Sequence, residues 1–185
     1  IVTPFGIDLD KFKPLKVNSL FDKNDIVIGT IKTLEEKYGI EYLIKAFAIV
    51  KNKYYNLPLK LLIVGDGSLS ESLKKLVHDL NIEEETVFTG KIAHELVPVY
   101  DNMLSVSVSV SVSNSESFGV AIIEASACGK PVVVSDVGGL PEVVENGVTG
   151  IVVPPRDPEK TAEAIEKLVL DENYGSKWEM LEENE

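Results

Sequence analysis

The sequence predicts an α/β domain with a mostly parallel sheet of about six strands and helices on both faces. Three observations favour this fold class. Short runs rich in β-branched residues alternate with segments of helical periodicity. A chain of 185 residues with 44% hydrophobic content can fill one substantial core. No internal repeat of roughly 20 to 50 residues is present, which excludes a solenoid.

The six strand candidates are β-branched runs separated by segments with helical spacing. They are residues 25–31 (DIVIGTI), 59–64 (LKLLIV), 86–89 (TVFT), 105–112 (SVSVSVSV), 131–135 (PVVVS) and 150–153 (GIVV). The fourth run alternates Ser and Val with a period of two, which is typical of a strand whose two faces have unlike surroundings.

Helical periodicity predicts at least three helices between and after these strands. Leu43, Phe47 and Val50 recur at helical steps after the first strand, and residues 69–80 repeat the pattern after the second. A third helix is expected to start at Asp157-Pro158, because Pro is tolerated in the first turn.

Composition excludes several classes of function. Eighteen basic against thirty acidic residues give a formal charge of -12, which disfavours nucleic acids and anionic lipid surfaces as partners. The lone Cys128 cannot form an internal disulfide, and His78 and His94 lack zinc-ligand spacing. No apolar run or leader-like N-terminus is apparent, so we expect a cytoplasmic, metal-free protein without membrane insertion.

Composition also suggests a division of the chain. Residues 1–22 contain Pro4, Gly6 and Pro14 and predict an extended connector from an upstream half. Residues 23–172 are expected to form the α/β domain. Residues 173–185, with the single Trp, predict an acidic tail that is partly ordered or docks on the missing half.

The segment from Ser113 to Pro131 is the most informative for function. It follows a predicted strand and predicts a helix over residues 118–128, ended by Gly129. The first-turn amides of Gly119, Val120 and Ala121 would face a ligand at the carboxyl end of the sheet, where a helix dipole favours an anion. The segment therefore predicts a phosphate-binding helix start.

Two carboxylates bracket these amides. Glu116 precedes the predicted helix and Glu124 lies inside it. Beside a phosphate both would repel it, unless they accept hydrogen bonds from flanking hydroxyls. Hydroxyls on both sides of a pyrophosphate are the chemistry of a nucleotide sugar. The alternative is that both glutamates are ordinary solvated residues.

The string ESFGVAIIEASACGKPVV resembles the Glu-x7-Glu signature of the family 4 retaining glycosyltransferases, which have two Rossmann-like halves (the GT-B fold). Similar motifs recur along the chain in TPFGIDLDKFKP, LIVGDG, VFTGKI, DVGGLPE and TGIVVPP. The resemblance implies a Rossmann-like C-terminal half that binds the nucleotide sugar, with UDP favoured. Its partner would be its own N-terminal acceptor-binding half. It also implies that no metal cofactor is needed, and that the complete enzyme can lie peripherally at the inner membrane face.

The resemblance also implies roles for individual residues. Glu116 would contact the transferred sugar as the catalytic residue, and Glu124 would hold the ribose. The remaining donor-binding residues implied are Lys32, Thr33, Lys37, Lys91, Ile92, Ser117, Phe118, Gly119 and Val120.

The sequence departs from the family pattern after the first strand. Thr33 stands where an Arg is expected, and Tyr38 is an extra residue before Gly39. Strand alternation places the side chain of Lys32 on the other face, so Lys37 is preferred for the diphosphate. Lysines on a solvated loop are the alternative.

Three other functions stay open at this point. A GT-B-like sugar-nucleotide epimerase would need further acid-base groups, and a phosphorylase would need a pyridoxal lysine. A non-catalytic nucleotide-binding module would not need Glu116.

Residues 65–67 (GDG) do not complete a dinucleotide fingerprint, because Ser70 replaces the third glycine. His78 and His94 are expected to be ordinary surface histidines.

Overall fold

A computed structural model describes residues 6–114 and 119–171 of the chain. The strands are β1 (Ile26–Ile31), β2 (Leu59–Val64), β3 (Thr86–Gly90), β4 (Val106–Ser109), β5 (Val132–Ser135) and β6 (Gly150–Val153). The helices are α1 (Ile40–Lys53), α2 (Ser70–Asp79), α3 (Val97–Met103), α4 (Val120–Ala127) and α5 (Pro158–Leu170). Short 3-10 turns cover Glu36–Tyr38, His94–Leu96 and Leu140–Glu142.

The six strands form one parallel sheet in the order β3-β2-β1-β4-β5-β6. The chain first moves outward from β1 to β3, then returns to the centre and continues from β4 to β6. The direction therefore reverses between β1 and β4, which pair through Ile28 with Val106 and Gly29 with Ser107. A reversal of this kind opens a crevice at the carboxyl ends of the two strands.

Helices cover both faces of the sheet, as predicted. On one face Phe47 of α1 and Ile165 of α5 are fully buried in the same cluster as Ile28 and Leu61. On the other face Ile122 of α4 packs in a cluster with the β5 side chains. Burying one such side chain contributes about 1.5 to 3 kcal/mol. Side chains alternate between the two faces of the sheet along each strand, and each face packs against its own layer of helices.

Strand β4 differs from its prediction. It ends at Ser109 instead of residue 112, and all four of its residues are buried. It lies in the middle of the sheet with helices on both sides, so its Ser and Val faces are both covered. Val106 and Val108 pack in the main core cluster, whereas Ser107 and Ser109 lie on the opposite face, so the two faces differ in their surroundings as expected although both are buried.

The predicted start of α5 agrees with the structure, whereas the predicted bounds of α4 differ from it. Helix α5 starts after Asp157, whose carboxylate accepts a hydrogen bond from the Lys160 amide. Helix α4 starts at Val120 and ends at Ala127, so it is shorter than the predicted 118–128. The sequence indicates a helix start at His94 but not the bounds of α3, because seven residues that include Pro98 have no clear period.

The segment before β1 has neither helix nor strand, yet it is docked on the domain. Phe12 is 5% exposed and packs with Val97 and Cys128. The Asn102 side-chain amide donates to the Lys13 carbonyl at 3.0 Å and accepts from the Leu15 amide at 2.8 Å. The connector is therefore held against α3. The predicted tail, residues 173–185, lies outside the described residues.

In the ranges 6–114 and 119–171, none of the helices combines the length and the apolar character that crossing a bilayer requires.

Candidate functional site

The crevice at the carboxyl ends of β1 and β4 has two walls. One is formed by the loops after β1 and β2, residues 32–39 and 65–68, which we call the lysine side. The other is formed by α3 and residues 119–130, which we call the helix side.

Backbone hydrogen bonds tie the two loops of the lysine side together. The Lys32 amide donates to the Val64 carbonyl, and the Leu34 amide donates to the Asp66 carbonyl, both at 3.0 Å. Gly65 lies at the crossing with φ of 132°, where an added Cβ would be 2.0 Å from the Lys32 carbonyl oxygen. Only glycine fits this approach. The loops therefore form one braced unit.

The braced loops border a cavity of about 450 Å³, which is within the size range of small-molecule sites. Four predicted donor-binding residues line it: Lys32, Thr33, Lys91 and Ile92. His94 and Asp66 line it too, although the sequence predicted no ligand role for either. The structure thus brings together residues from three separate loops.

The structure places the two lysines differently with respect to the cavity. Strand β1 ends at Ile31, so Lys32 is the first loop residue and the strand alternation no longer sets its direction. Lys32 lines the cavity, whereas Lys37 is exposed and is not among the lining residues. This position removes the strand-alternation argument for preferring Lys37, and the roles of both lysines in binding the diphosphate stay predictions.

The helix side begins with a glycine cap. Gly119 has φ of 59°, and it is the Ile122 amide that donates to the Gly119 carbonyl, at 2.9 Å. The amides of Val120 and Ala121 therefore lie in the open first turn, as the helix-start prediction requires. Glu116, Ser117 and Phe118 lie outside the described residues, so their predicted roles stay predictions.

Glu124 is half-buried one turn into α4. Burial raises the pKa of Glu124 above its ordinary value, and the positive charges of His94 and Lys32 partly oppose this rise. These two opposing charges belong to residues that line the cavity. The carboxyl of Glu124 is therefore electrostatically coupled to the cavity, which agrees with its placement in the predicted site.

A second buried acid lies behind Glu124. Asp101 of α3 is 2% exposed, and its Oδ2 has no hydrogen-bond partner among the described residues. Burial raises the pKa of Asp101 to about 8, the charge of Glu124 adds to this rise, and Lys130 opposes it. Asp101 is therefore mostly uncharged at neutral pH. A single Asp in a short helix gave no signal in the sequence.

Cys128 closes the helix side. It is buried, and burial raises the pKa of its thiol to about 12. A thiol with this pKa is unreactive at neutral pH, in agreement with its predicted role as core filler.

These groups define what the site can bind. Lys32 and Lys91 line the cavity, the first-turn amides of α4 are open, and the charge of Lys32 acts on the Glu124 carboxyl. Cations and helix amides suit phosphate oxygens, and a carboxylate suits hydroxyl donors. The arrangement fits a ligand that combines phosphate groups with hydroxyl groups.

Comparison with known proteins gives a consistent result. The family model of the group 1 glycosyl transferases matches residues 11–184. The D-inositol 3-phosphate glycosyltransferase of Rhodococcus erythropolis is 36% identical over 180 residues, covering 91% of this chain and 40% of that protein. The GDP-mannose-dependent alpha-(1-6)-phosphatidylinositol monomannoside mannosyltransferase of Mycobacterium tuberculosis is 29% identical, covering 91% of this chain and 46% of that protein.

Solved structures agree with the fold. HepE of Anabaena, in complex with UDP-glucose, superposes with a TM-score of 0.79 at 25% identity, covering 94% of this chain and 48% of that one. The C-terminal domain of LpcC from Francisella tularensis gives a TM-score of 0.80 at 21% identity, covering 94% and 92%, and shows the fold alone. The chain spans less than half the length of the two curated relatives named above.

Proposed function

The chain belongs to the group 1 glycosyl transferases, and we propose that it is the donor-binding half of a retaining enzyme of glycosyltransferase family 4. The complete enzyme would transfer a sugar from a nucleotide sugar to a glycan or glycolipid acceptor. The acceptor would bind to an N-terminal half that precedes this chain.

The observation that supports this proposal best is the cavity of about 450 Å³ whose lining residues His94 and Lys32 act electrostatically on Glu124. Its lining includes Lys32 and Lys91, and the charge of Lys32 acts on the half-buried Glu124. A diphosphate next to a ribose needs cations and a hydroxyl acceptor in the same site. Neither a simple anion site nor an apolar pocket would place an acid there.

Each group has a proposed task. Glu124 accepts hydrogen bonds from the ribose hydroxyls, and the turn at Lys91 and Ile92 lies against the base. Lys32 and Thr33 bind the diphosphate from one wall, and the amides of Gly119 and Val120 bind it from the other. Glu116, Ser117 and Phe118 precede Gly119 in the chain, where we propose that they contact the diphosphate and the transferred sugar.

We propose UDP as the nucleotide. The complex of HepE with UDP-glucose supports this choice, because that structure superposes over 94% of this chain. The mycobacterial relative uses GDP-mannose according to its name, so GDP is the alternative that a binding experiment must include.

For the complete enzyme we propose a transfer with retention at the anomeric carbon, as the resemblance to family 4 implies. The bond between the anomeric carbon and the diphosphate oxygen breaks, and a bond to the acceptor oxygen forms on the same face of the sugar. The acceptor proton passes to the departing phosphate oxygen. Lysine ammonium groups and helix amides stabilise the negative charge that develops on the diphosphate, so we propose that no metal is required.

Isothermal titration calorimetry with UDP, GDP and ADP tests the binding site. We expect UDP to bind most tightly, in the presence of EDTA as well. Glu124→Gln should weaken UDP binding about 10- to 100-fold, because a charged acceptor of hydroxyl hydrogen bonds contributes about 1.5 to 3 kcal/mol.

Glu71→Gln is the matched control, because Glu71 is 89% exposed on α2 and pairs with Lys74 away from the cavity. Its UDP affinity should stay within twofold of the unsubstituted chain. Equal UDP affinity of the Glu124→Gln variant and the unsubstituted chain would show that the site lies elsewhere. Stronger binding of GDP than UDP would overturn the choice of base.

A further inference from the structure

Tyr38 lies between the two lysines of the lysine side. The Nζ of Lys32 is 4.6 Å from the centroid of the Tyr38 ring, and the Nζ of Lys37 is 4.9 Å from it. Both distances are within the range of cation–π attraction. The two ammonium groups therefore lie within about 10 Å of one another, where like charges repel.

The short turn that contains Tyr38 is fixed at both ends. Before it, the Glu35 carboxylate accepts from the Ser68 amide at 2.9 Å and from the Ser68 hydroxyl at 2.6 Å. Within it, the Lys37 carbonyl accepts from the Val112 amide at 2.9 Å. The turn is thus tied to the loop after β2 and to the segment after β4.

The ring itself is held by packing. Tyr38 is half-buried against the main core cluster, so it has little freedom to move. Lysine side chains have several rotatable bonds and lose entropy when they bind a ligand. A fixed aromatic face that attracts both ammonium groups lowers this loss before the ligand arrives.

We propose that Tyr38 is a positioning residue for the diphosphate of the donor, because its ring gathers Lys32 and Lys37 at the mouth of the cavity. This inference rests on the proposed function. Lys32 then contacts the diphosphate from the cavity lining, and the exposed Lys37 contributes positive charge from outside that lining. The pair replaces the guanidinium that Thr33 cannot supply.

Tyr38→Leu and Tyr38→Phe test this role by calorimetry with UDP and with uridine, which lacks the diphosphate. Tyr38→Leu should weaken UDP binding about tenfold, since two cation–π contacts are lost, and should leave the uridine affinity within twofold. Tyr38→Phe keeps the aromatic face and should bind UDP within twofold of the unsubstituted chain.

A double-mutant cycle measures the coupling directly. Lys32→Met should weaken UDP binding about tenfold in the unsubstituted chain but only about threefold when Tyr38 is already Leu. Tyr42→Leu is the matched control, because Tyr42 of α1 also lies near a lysine, Lys45 at 5.4 Å, but does not line the cavity. It should leave the UDP affinity within twofold.

The outcomes separate this inference from the proposed function. If the unsubstituted chain binds neither UDP nor uridine, both fall together. If it binds UDP and the Tyr38→Leu variant binds it equally well, only the positioning role falls. Equal losses for UDP and uridine in the Tyr38→Leu variant would assign Tyr38 a purely structural role and overturn the inference.

Discussion

The carboxyl groups on the two sides of the site are perturbed in opposite directions. On the lysine side, hydrogen bonds from Ser68 lower the pKa of Glu35, and hydrogen bonds from Ser70 and the Gly67 amide lower the pKa of Asp66. On the helix side, burial raises the pKa of both Asp101 and Glu124. The same residue types thus stay charged on one wall and resist ionisation on the other.

The two sides of the site differ in their exposure to water and in the interactions that order them. The lysine side is open to water and gains its order from hydrogen bonds between loops. The helix side is shielded from water and gains its order from apolar packing. A donor that lies between them would meet lysine side chains on a braced loop and a poorly hydrated acid on a packed helix.

The largest expected effect comes from breaking the brace at Gly65. In Gly65→Ala the new Cβ would be 2.0 Å from the Lys32 carbonyl oxygen, at a positive φ. Strain and overpacking together should lower the free energy of unfolding by about 3 to 5 kcal/mol. Urea unfolding followed by circular dichroism measures this loss.

Two other glycines with positive φ are matched controls. At Gly119 a Cβ would meet side-chain atoms, Leu140 at 2.9 Å and Val143 at 3.4 Å, and not backbone, and at Gly90 it would meet nothing within 4 Å. Gly119→Ala should cost about 1 to 2 kcal/mol and Gly90→Ala about 1 kcal/mol. Equal losses at all three positions would show that the lysine side is no more tightly braced than the helix side.

The fold could be predicted from the sequence because its signals are local. The β-branched runs gave all six strands, and Asp157-Pro158 gave the start of α5. The extent of β4 could not be predicted, because the Ser-Val alternation continues past the point where pairing ends. Helix α3 is too short for a periodic pattern to identify it.

The site was only partly predictable, because its walls come from loops distant in the chain. Thr33, Lys91 and Ile92 were named from family motifs, and the structure places them together. Lys32 was also named, but strand alternation could not give its direction, because β1 ends at Ile31. His94 and Asp101 have no motif, and only the packing of α3 and the preceding turn against α4 brings them near Glu124.

The second-largest expected effect concerns Asp101. It tests whether this residue is shielded from water, as its raised pKa indicates. Asp101 has a pKa of about 8 in the folded chain against an ordinary value of 3.8. Between these values the folded state holds a proton that the unfolded state has released, so stability falls as pH rises from about 4 to 8. Asp101→Asn removes this titration.

We therefore expect Asp101→Asn to gain stability relative to the unsubstituted chain as pH rises. The gain between pH 5 and pH 8.5 should be on the order of 3 kcal/mol, measured by urea unfolding at the two pH values. Asp79→Asn is the control, because Asp79 is half exposed and pairs with Lys75 on α2. Parallel pH profiles for Asp101→Asn and the unsubstituted chain would mean that Asp101 is hydrated.

The smallest expected effect sharpens the comparison on the lysine side. Ser68→Ala removes the hydroxyl that donates to Glu35, so the pKa of Glu35 should rise back toward its ordinary value of 4.5. Side-chain NMR titration of Glu35 measures this change. UDP affinity should fall by about two- to threefold, since one of the two hydrogen bonds from Ser68 to Glu35 is lost while the amide bond stays.

Ser72→Ala is the control, because the Ser72 hydroxyl donates to the carbonyl of Leu69, just before α2, and makes no hydrogen bond to the turn that contains Tyr38. If the Glu35 pKa rises and UDP affinity does not change, the hydrogen bond from the Ser68 hydroxyl to Glu35 orders the turn that contains Tyr38 only in the free protein. The lysines would then be gathered by the Tyr38 ring alone.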